Sequence, residues 1–580
     1  MKRHFLTIAT LGLFCTAFAQ NDNAVLLKVG KESITKSEFI QAYQKNNLLS
    51  ESTEKDLREY LDLFINYRMK VQEAQALQLD TAQAFQKELS AYKSQSAQQY
   101  MVDTEVSDKL LEEAFEHSKQ HVRASHILIR CAENASPKDT LAAYRKIQNI
   151  REMIVNGLDF NEAAYRYSED ESAKGMTNPQ TGRFIPGNKG ELGYFSVMEM
   201  IYPFEVAAYN TPVGQVSLPF RTQFGYHLVY VQEKVPAINK VFVSQIFITD
   251  TTALTVGMKP EIQSKIDLIK SEYKKGVSFA ELASKYSEDK ATQSEAGVMA
   301  PFAPNRRPGN YVSAAIYLKN GEISEAVPTN IGWHILKLDS IQYATTNEET
   351  KFLLKNKLSR DSRSKKSKDV LIAKLKKEYN FEESGKNAAM KFFAKNLPAS
   401  YFQSTTLSID SLKGIKKLKP MFSFANEKYT ALDFGAFISR YQGTQLKGTV
   451  EQFLNTIYPN FVNERILRYE RQNLENKYPE YRELITEFHD GMLLYEINSE
   501  KVWNAAIKDT IGLEKFYETI KTQYPVDEPN DTIQYKPMSE IRAIVVSKYQ
   551  DYLEQEWIKT LREKYPVVVN EEVFATILKK

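Results

Sequence analysis

The stretch VRASHILI at residues 122–129 has a second version in the chain, VFVSQIFI at 241–248. Two further pairs follow in the same order: FNEAAYRYSED at 160–170 with FAELASKYSED at 279–289, and FGYHLVYV at 224–231 with IGWHILKL at 331–338. Similar segments that recur in a constant order indicate a repeated folding unit. The sequence therefore predicts two copies of one domain in the middle of the chain.

The spacing within the two copies supports this repeat. The equal separations are 44 residues for His126–Asp170 and Gln245–Asp289, and 32 residues for Phe195–His227 and Phe302–His334. The difference in length falls in one loop, where the first copy carries AKGMTNPQTGRFIPGNKG at 173–190. Each copy reads as an apolar strand, two helices, a loop, a short helix and a final strand, with Gly157 and Gly276 as helix C-caps. This order predicts a small α+β domain.

A second, weaker repeat flanks the first. ITKSEF at 34–39 is similar to YTALDF at 429–434, and in both a threonine stands three residues before an acid. This pattern predicts a capping box that opens a helix, Thr35 with Glu38 and Thr430 with Asp433. Apolar residues at helical spacing follow in the N-terminal flank: Leu61, Phe64, Ile65, Met69, Val71 and Leu77. The flanks are thus predicted to be amphipathic helices that pack on each other or pair within a dimer.

Composition limits the class of protein. The chain has 580 residues, of which 42% are hydrophobic and 26% are charged, so three to five folded domains are expected. The formal net charge of +3 excludes a strongly basic nucleic-acid binder. Residues 345–380 are rich in Lys and Arg and predict a further helix, whose charges make either a solvated face or a contact with anionic lipid.

The N-terminus has the pattern of a secretory signal peptide. Lys2 and Arg3 precede an apolar run, and Ala17-Phe18-Ala19 is a cleavage motif, so residues 1–19 are expected to be removed. Phe14 before Cys15 does not fit a lipoprotein signal. No later stretch is long and apolar enough to predict a membrane span. The mature protein is expected in the periplasm, where the single remaining Cys131 makes no internal disulfide.

The first copy resembles a parvulin-type peptidyl-prolyl isomerase. The resemblance rests on SHILI at 125–129, YSED at 167–170, GELGYF at 190–195, the M-x-x-P-F-E-x-A-A-Y run at 200–209, VGQV at 213–216 and FGYHLVYV. It implies a site that holds a proline ring and eases rotation about the preceding peptide bond, without metal or cofactor. That rotation has a barrier of about 18–20 kcal/mol in free peptides.

The resemblance also implies the site residues. His126 and His227 would be the paired histidines of the floor, with Asp170 as the third catalytic residue. Leu192, Met200 and Phe204 would line the proline pocket, and Thr222 and Phe224 would lie on its rim. Two alternatives stay open: Asp170 could cap a helix after Ser168, and Met200 with Phe204 could be ordinary core.

The second copy departs from the pattern. Gln245 replaces the first histidine, while Arg307 and Tyr311 stand at the positions of Met200 and Phe204. Asp289 and His334 remain. We expect this copy to be weak or inactive as an isomerase.

The flanking helices resemble the chaperone modules of the periplasmic foldases SurA and PrsA. The resemblance implies a multidomain α+β protein with these segments: 1–19 signal peptide, 20–120 N-terminal chaperone module, 121–235 active parvulin domain, 239–342 degenerate parvulin domain, 345–384 basic linker helix and 385–580 C-terminal chaperone module. It implies an isomerase and ATP-independent chaperone for unfolded envelope proteins and their X–Pro segments, with outer-membrane assembly machinery as a further partner. The alternative is a non-catalytic chaperone or assembly component that uses both parvulin domains for docking.

Overall fold

A computed structural model describes residues 23–45, 49, 52–133, 135–177, 180, 182, 184–403, 408–409, 412–444, 446, 448–526 and 534–578. The signal peptide expected at residues 1–19 lies outside the described residues. The strands are β1 Val25–Val29, β2 Glu32–Thr35, β3 Gln120–Arg130, β4 Gly175–Thr177, β5 Phe184–Pro186, β6 Glu191–Phe195, β7 Phe220–Thr222, β8 Gly225–Pro236, β9 Ile238–Thr249, β10 Val327–Pro328, β11 Gly332–Tyr343, β12 Phe422–Phe424, β13 Glu427–Tyr429 and β14 Val567–Val569.

The helices complete a mixed α+β chain. They are α1 Lys36–Gln44, α2 Glu54–Ala76, α3 Gln83–Ser96, α4 Thr104–His117, α5 Pro137–Val155, α6 Phe160–Tyr167, α7 Tyr202–Asn210, α8 Pro260–Lys274, α9 Phe279–Tyr286, α10 Lys290–Gln293, α11 Gly309–Ile316, α12 Glu348–Leu358, α13 Ser364–Glu378, α14 Lys386–Asn396, α15 Ala431–Ile438, α16 Val450–Lys477, α17 Pro479–Asn498, α18 Asn504–Lys508, α19 Thr510–Ile520, α20 Met538–Lys564 and α21 Glu571–Phe574. Over the described ranges, none of these helices combines the length and apolar character that a membrane crossing needs.

The chain divides into two compact units. One unit contains the residues up to Tyr100 together with those from Leu467 onward, and the other contains Met101–Ile466. Residues 385–466, which were predicted to belong to the C-terminal chaperone module, therefore lie in the same unit as the two repeated domains.

The unit formed by the two ends of the chain has a small sheet and long helices. Strand β1 lies between β14 and β2, and both pairings are antiparallel. Its core joins residues from the first strands and α1 with residues of α2 and α20, among them Leu27, Phe39, Met69 and Leu561. The two ends of the sequence therefore share one core.

The first repeated domain is a four-stranded sheet in the order β6-β3-β8-β7. Side chains alternate between the faces of a strand, so Ile127 and Ile129 pack with α5 and α6. Val122 and Ala124 lie on the other face and pack with Phe204 of α7. The predicted α+β order is confirmed, and the sheet has a helical layer on each face.

The second repeated domain has a sheet in the order β10-β11-β9, and it packs on the first domain. The contact is polar and largely buried. The guanidinium of Arg123 donates to Glu233 at 2.7 Å and to Ser313 of the second domain at 3.0 Å. Tyr194 also hydrogen-bonds Ser313, and its ring belongs to the core of the second domain. The two copies are therefore packed against each other.

Local expectations at the flanks are confirmed in part. Thr35 with Glu38 and Thr430 with Asp433 both form complete capping boxes, and a third box, Thr53 with Asp56, opens α2. The segment predicted as one basic helix forms two, α12 and α13, because the chain turns between them where the side chain of Arg363 is buried.

Candidate functional site

The two histidines of the first domain lie on neighbouring strands. His126 is on β3 and His227 is on β8, and the register places Leu128 opposite His227. Both side chains project from the face that α7 covers. Their ring centroids are 5.9 Å apart with an interplanar angle of 19°, and both residues are at least 90% buried. The predicted pair thus forms the floor of one site.

The environment of His227 keeps its ring neutral. Its Nε2 is joined to Oγ1 of Thr222 by a hydrogen bond of 2.8 Å. Burial lowers the pKa of His227 to about 4, with a further contribution from His126 and a small opposing one from Asp170. Its Nδ1 is buried and has no hydrogen-bond partner among the described residues. At neutral pH this ring is therefore a polar group without charge.

Asp170 lies beside the other histidine. Its Oδ2 is 2.9 Å from Nε2 of His126, at ion-pair distance but without the alignment of a hydrogen bond. Its Oδ1 accepts from the backbone N–H of Ser172 at 3.0 Å and caps a short helix. The contact with His126, with help from Ser172, holds the pKa of Asp170 well below its usual range against the effect of burial. Asp170 is therefore both a helix cap and an ionised neighbour of the histidine pair.

A cavity of about 750 Å³ opens above these groups. Seven of the eight predicted site residues line it: His126, Asp170, Leu192, Met200, Phe204, Phe224 and His227. The eighth, Thr222, supports the site from behind, because its hydroxyl contacts His227 and accepts from the backbone N–H of Phe224. The structure thus brings all eight predicted residues together.

Aromatic rings build one wall of the cavity. The ring of Phe204 is nearly perpendicular to both imidazoles, with centroid distances of 5.8 Å to each. It is also perpendicular to Phe220, at 5.7 Å. Met200 is half-buried at the wall, and Phe224 is 54% exposed at the rim. Such an apolar slot with polar groups at its floor suits a small ring carried on a peptide.

The sequence analysis missed several residues that line the cavity. They are Leu128, Arg130, Cys131, Ala132, Glu199, Ile201 and Gln223. Leu128 follows His126 by two residues on the same strand, so strand alternation could have found it. Glu199 and Ile201 flank Met200, and Gln223 lies between the two predicted rim residues. No pattern marked Cys131, which directly follows the last residue of β3.

The chemistry of the cavity depends on the side chains that line it. Across the described ranges, no three or more His, Cys, Asp or Glu side chains are grouped as a metal ion requires. The lining groups can bind, orient and desolvate a peptide, and they offer hydrogen bonds and the carboxylates of Asp170 and Glu199.

The corresponding groups of the second domain are bonded to one another. Gln245 donates to Asp289 at 2.9 Å, and its Oε1 contacts Nδ1 of His334 at 3.1 Å. The hydroxyl of Tyr311, which takes the position of Phe204, reaches the same Oε1 at 3.2 Å. Tyr311 is only 2% exposed. The Tyr311 hydroxyl occupies space that the phenyl ring of a phenylalanine would leave open. The polar groups of this site therefore form their hydrogen bonds with one another.

Both repeated domains match known family models. Residues 109–235 and residues 247–340 each match a PPIC-type PPIase domain, where PPIase denotes peptidyl-prolyl isomerase. These matches, together with the fold and the paired histidines, define the class: the chain contains two parvulin domains of the PPIC type.

Proteins with a wider match are chaperones and foldases. The chain is 28% identical over 252 residues to chaperone SurA of Methylococcus capsulatus, which covers 43% of this chain and 51% of that protein. It is 26% identical over 250 residues to foldase protein PrsA of Geobacillus kaustophilus, covering 40% of this chain and 80% of the relative. The chain thus spans about half the length of the SurA that it matches. A crystal structure of PrsA from Bacillus anthracis has 25% identity and a TM-score of 0.17, over 23% of this chain and 59% of that one. This protein is therefore a two-parvulin chain similar to the SurA and PrsA foldases.

Proposed function

We propose that the protein is a periplasmic peptidyl-prolyl cis/trans isomerase and an ATP-independent chaperone for unfolded envelope proteins. The observation that carries the isomerase part is the open cavity of the first parvulin domain. It places an apolar wall, two buried histidines and an ionised carboxylate around one space of about 750 Å³.

The chemistry asked of the site is modest. An X–Pro bond rotates by passing through a twisted amide, in which the C–N resonance is lost and the nitrogen becomes pyramidal. A site that binds this form more tightly than the planar one lowers the barrier. No covalent bond to the protein is required.

The residues divide this task between them. Phe204 and Met200 would pack against the proline ring and exclude water. The neighbouring polar groups would then act in a medium of low dielectric constant. His227 is held neutral and fixed by Thr222, so it can exchange hydrogen bonds without attracting a counter-ion. Asp170 would lie near the carbonyl oxygen of the bound X–Pro bond, where its negative charge would disfavour electron density on that oxygen and so favour the twisted amide. This assignment makes Asp170 an electrostatic group and not a nucleophile.

The second parvulin domain would take another part. Its equivalent groups hydrogen-bond one another, and the hydroxyl of Tyr311 lies against Gln245. A proline ring would have to break these bonds to enter. We assign this domain to scaffolding or peptide docking. The hydrogen bonds among its polar groups favour, for this domain, the alternative in which a parvulin domain serves for docking and not for catalysis.

The chaperone part rests on the similarity to SurA and PrsA and on the predicted signal peptide. A chaperone in the periplasm has no ATP to use, so it must release its clients through moderate affinity. We propose unfolded outer-membrane β-barrel proteins as its substrates.

The test is the cis/trans exchange rate of a proline-containing tetrapeptide in the presence of the full chain. We expect catalysis by the wild type and a fall in kcat/KM of about tenfold or more for Met200→Ala, which removes contacts to the proline ring. Two matched variants should keep the wild-type rate. Arg307→Met changes the equivalent position of the second domain, and Met153→Ala removes a half-buried methionine from the α5 side of the sheet. A folded wild type that does not accelerate exchange would overturn the isomerase proposal.

A further inference from the structure

The residue next to Phe204 has a buried partner from a distant part of the chain. Glu205 is completely buried on α7, on the side away from the cavity. The guanidinium of Arg363 makes a forked contact with it, Nη1 to Oε1 at 3.1 Å and Nη2 to Oε2 at 2.7 Å. The Arg363 side chain is also fully buried. A forked pair fixes both the position and the rotation of the carboxylate.

Two further donors complete the cluster around Glu205. Nδ1 of His117 lies 2.8 Å from Oε1, and the backbone N–H of Met198 donates to Oε2 at 2.6 Å. Burial alone would raise the pKa of Glu205, but His117, Arg363 and Met198 outweigh it and hold the pKa below its ordinary value. Glu205 is therefore an ionised, fully satisfied anchor.

Arg363 is itself held in place by its surroundings. Its Nε donates to Asp361 at 2.8 Å, and its guanidinium carbon lies 4.9 Å from the ring centroid of Tyr202. Tyr202 in turn donates from its hydroxyl to Glu113 of α4 at 2.7 Å. The cluster is therefore rigid on both sides of the Arg363–Glu205 contact.

One of these anchors comes from outside both parvulin domains. His117 ends α4, which precedes β3 and lies within the matched range 109–235, whereas Arg363 lies in the turn between α12 and α13, which follows the second domain. The segment from Met198 to Glu205 contains four residues that line the cavity: Glu199, Met200, Ile201 and Phe204. Through Arg363, one wall of the cavity is thus tied to helices that belong to neither parvulin domain.

A second anchor on the same segment is weaker. Asn305 of the second parvulin domain donates to Glu199 at 2.6 Å, and both residues are exposed. Exposed polar contacts contribute little, whereas removing one partner of a buried ion pair leaves an uncompensated charge and is strongly unfavourable. The buried contact of Arg363 with Glu205 is therefore the stronger of these two anchors from outside the first domain.

We propose that Arg363 is a positioning residue for the proline pocket, which reaches its binding geometry only when the α12–α13 turn is docked on Glu205. This proposal rests on the isomerase function proposed above. It means that the helices before and after the two parvulin domains control the affinity of the first domain for its peptide. A movement of those helices would change peptide affinity without any contact with the peptide.

The experiment compares full-length variants in the tetrapeptide exchange assay, with kcat and KM determined separately. Arg363→Met should raise KM by fivefold or more, because the wall is no longer held, while kcat changes less. Arg363→Lys keeps the cation and loses the fork, so its KM should lie between the two. The matched control is Arg360→Met, three residues away and exposed, which should behave as the wild type.

Folding is followed by circular dichroism at the assay temperature. If Arg363→Met does not fold, the double variant Glu205→Gln, Arg363→Met replaces it in the assay, because the double variant removes both charges of the buried pair. If the double variant does not fold either, Arg363→Lys is used. A purely stabilising role predicts that the folded variant keeps its KM. A KM within twofold of Arg360→Met therefore overturns the proposal, and a larger rise supports it. If the wild type itself shows no catalysis, the proposed isomerase function is wrong. The positioning role is then tested by the dissociation constant of the same tetrapeptide, measured by fluorescence anisotropy. A dissociation constant within twofold of that of Arg360→Met overturns the positioning role, and a larger rise supports it.

Discussion

At the scale of single residues, the site depends on how burial sets charge. His227 and Asp170 lie in one cavity, yet their environments have opposite effects. Burial keeps the imidazole neutral, whereas His126 and Ser172 keep the carboxylate ionised. The site thus offers one neutral polar ring and one fixed negative charge at neutral pH, which is the combination that the proposed mechanism uses.

This arrangement predicts a pH dependence. The folded-state pKa of His227, about 4, lies below the ordinary value of 6.5, so the unfolded chain binds this proton more readily. The stability that this group contributes is present above pH 6.5 and is lost as the pH falls toward 4, by about 3 kcal/mol at most. We expect kcat/KM to be constant between pH 6 and 8 and to fall below about pH 5, as His227 gains a charge inside an apolar cavity.

The measurement is a pH profile of kcat/KM together with an NMR titration of the His227 ring. His334 in the second domain also has a pKa lowered by burial to about 4 and would add to the loss of stability. The variant His334→Gln separates the two, because it should remove that second contribution and leave the activity profile unchanged. An activity profile with its midpoint near pH 6.5 would contradict the assignment.

At the scale of elements, strand alternation and helix caps carry most of the local structure. Adjacent antiparallel strands β3 and β8 bring His126 and His227 to one face because a strand turns every second side chain to the same side. The capping boxes fix where two helices begin in different units of the protein. The hydroxyl oxygens of Thr35 and Thr430 each accept a hydrogen bond from the backbone N–H of their acidic partner. The carboxylate of that partner accepts a hydrogen bond from the backbone N–H of the threonine.

We expect Thr35→Ala and Thr430→Ala each to lower the free energy of local unfolding of their helix by about 1 kcal/mol, since each removes a cap. The measurement is native-state hydrogen exchange of amides in α1 and α15. The matched controls are Thr35→Ser and Thr430→Ser, which keep the hydroxyl and should retain protection. Isomerase activity should not change in any of the four, because neither threonine lines the cavity. Equal exchange in the Ala and Ser variants would show that the boxes contribute nothing.

At the scale of the whole molecule, the two parvulin domains are inserted at one point. The backbone N–H of Ala237 donates to the carbonyl of Lys119, and that of Ala344 donates to the carbonyl of Ala237, both at 2.8 Å. The chain therefore enters the first domain, passes to the second and leaves it at three adjacent positions. Because neighbouring strands lie about 4.8 Å apart, Lys119 and Ala344 are about 10 Å apart, which three glycines can span.

This geometry predicts that a variant with residues 120–343 replaced by Gly-Gly-Gly remains folded. It retains contacts between the helices on either side of the excision, such as Lys374 with Asp103 and Ser367 with Ser107. We expect it to suppress the aggregation of an unfolded outer-membrane β-barrel protein without ATP and to lack isomerase activity. The measurement is light scattering during dilution of the barrel protein from urea.

The control for this experiment is full-length Met200→Ala, which should have strongly reduced catalysis and keep full protection. If the shortened variant is folded and protects nothing while Met200→Ala does protect, client binding lies in the parvulin pair. The chaperone role of the flanking helices would then be wrong.

The features that the sequence alone revealed are those that local patterns carry. The repeat, the α+β order of each copy and the two predicted capping boxes follow from motifs and from strand and helix periodicity. The eight residues of the candidate site follow from the resemblance of the first copy to parvulin-type isomerases. They could be predicted because each depends on neighbours within a few residues or on a motif that recurs in order. Tertiary structure decided what depends on distant pairs. The hydroxyl of Tyr311 meets Gln245 from 66 residues away, and Arg363 meets Glu205 across 158 residues. A buried charge produces no periodic pattern in the sequence, because the packing of whole helices and strands determines its partner. Only the folded chain therefore revealed that Arg363 and Glu205 hold the wall of the cavity.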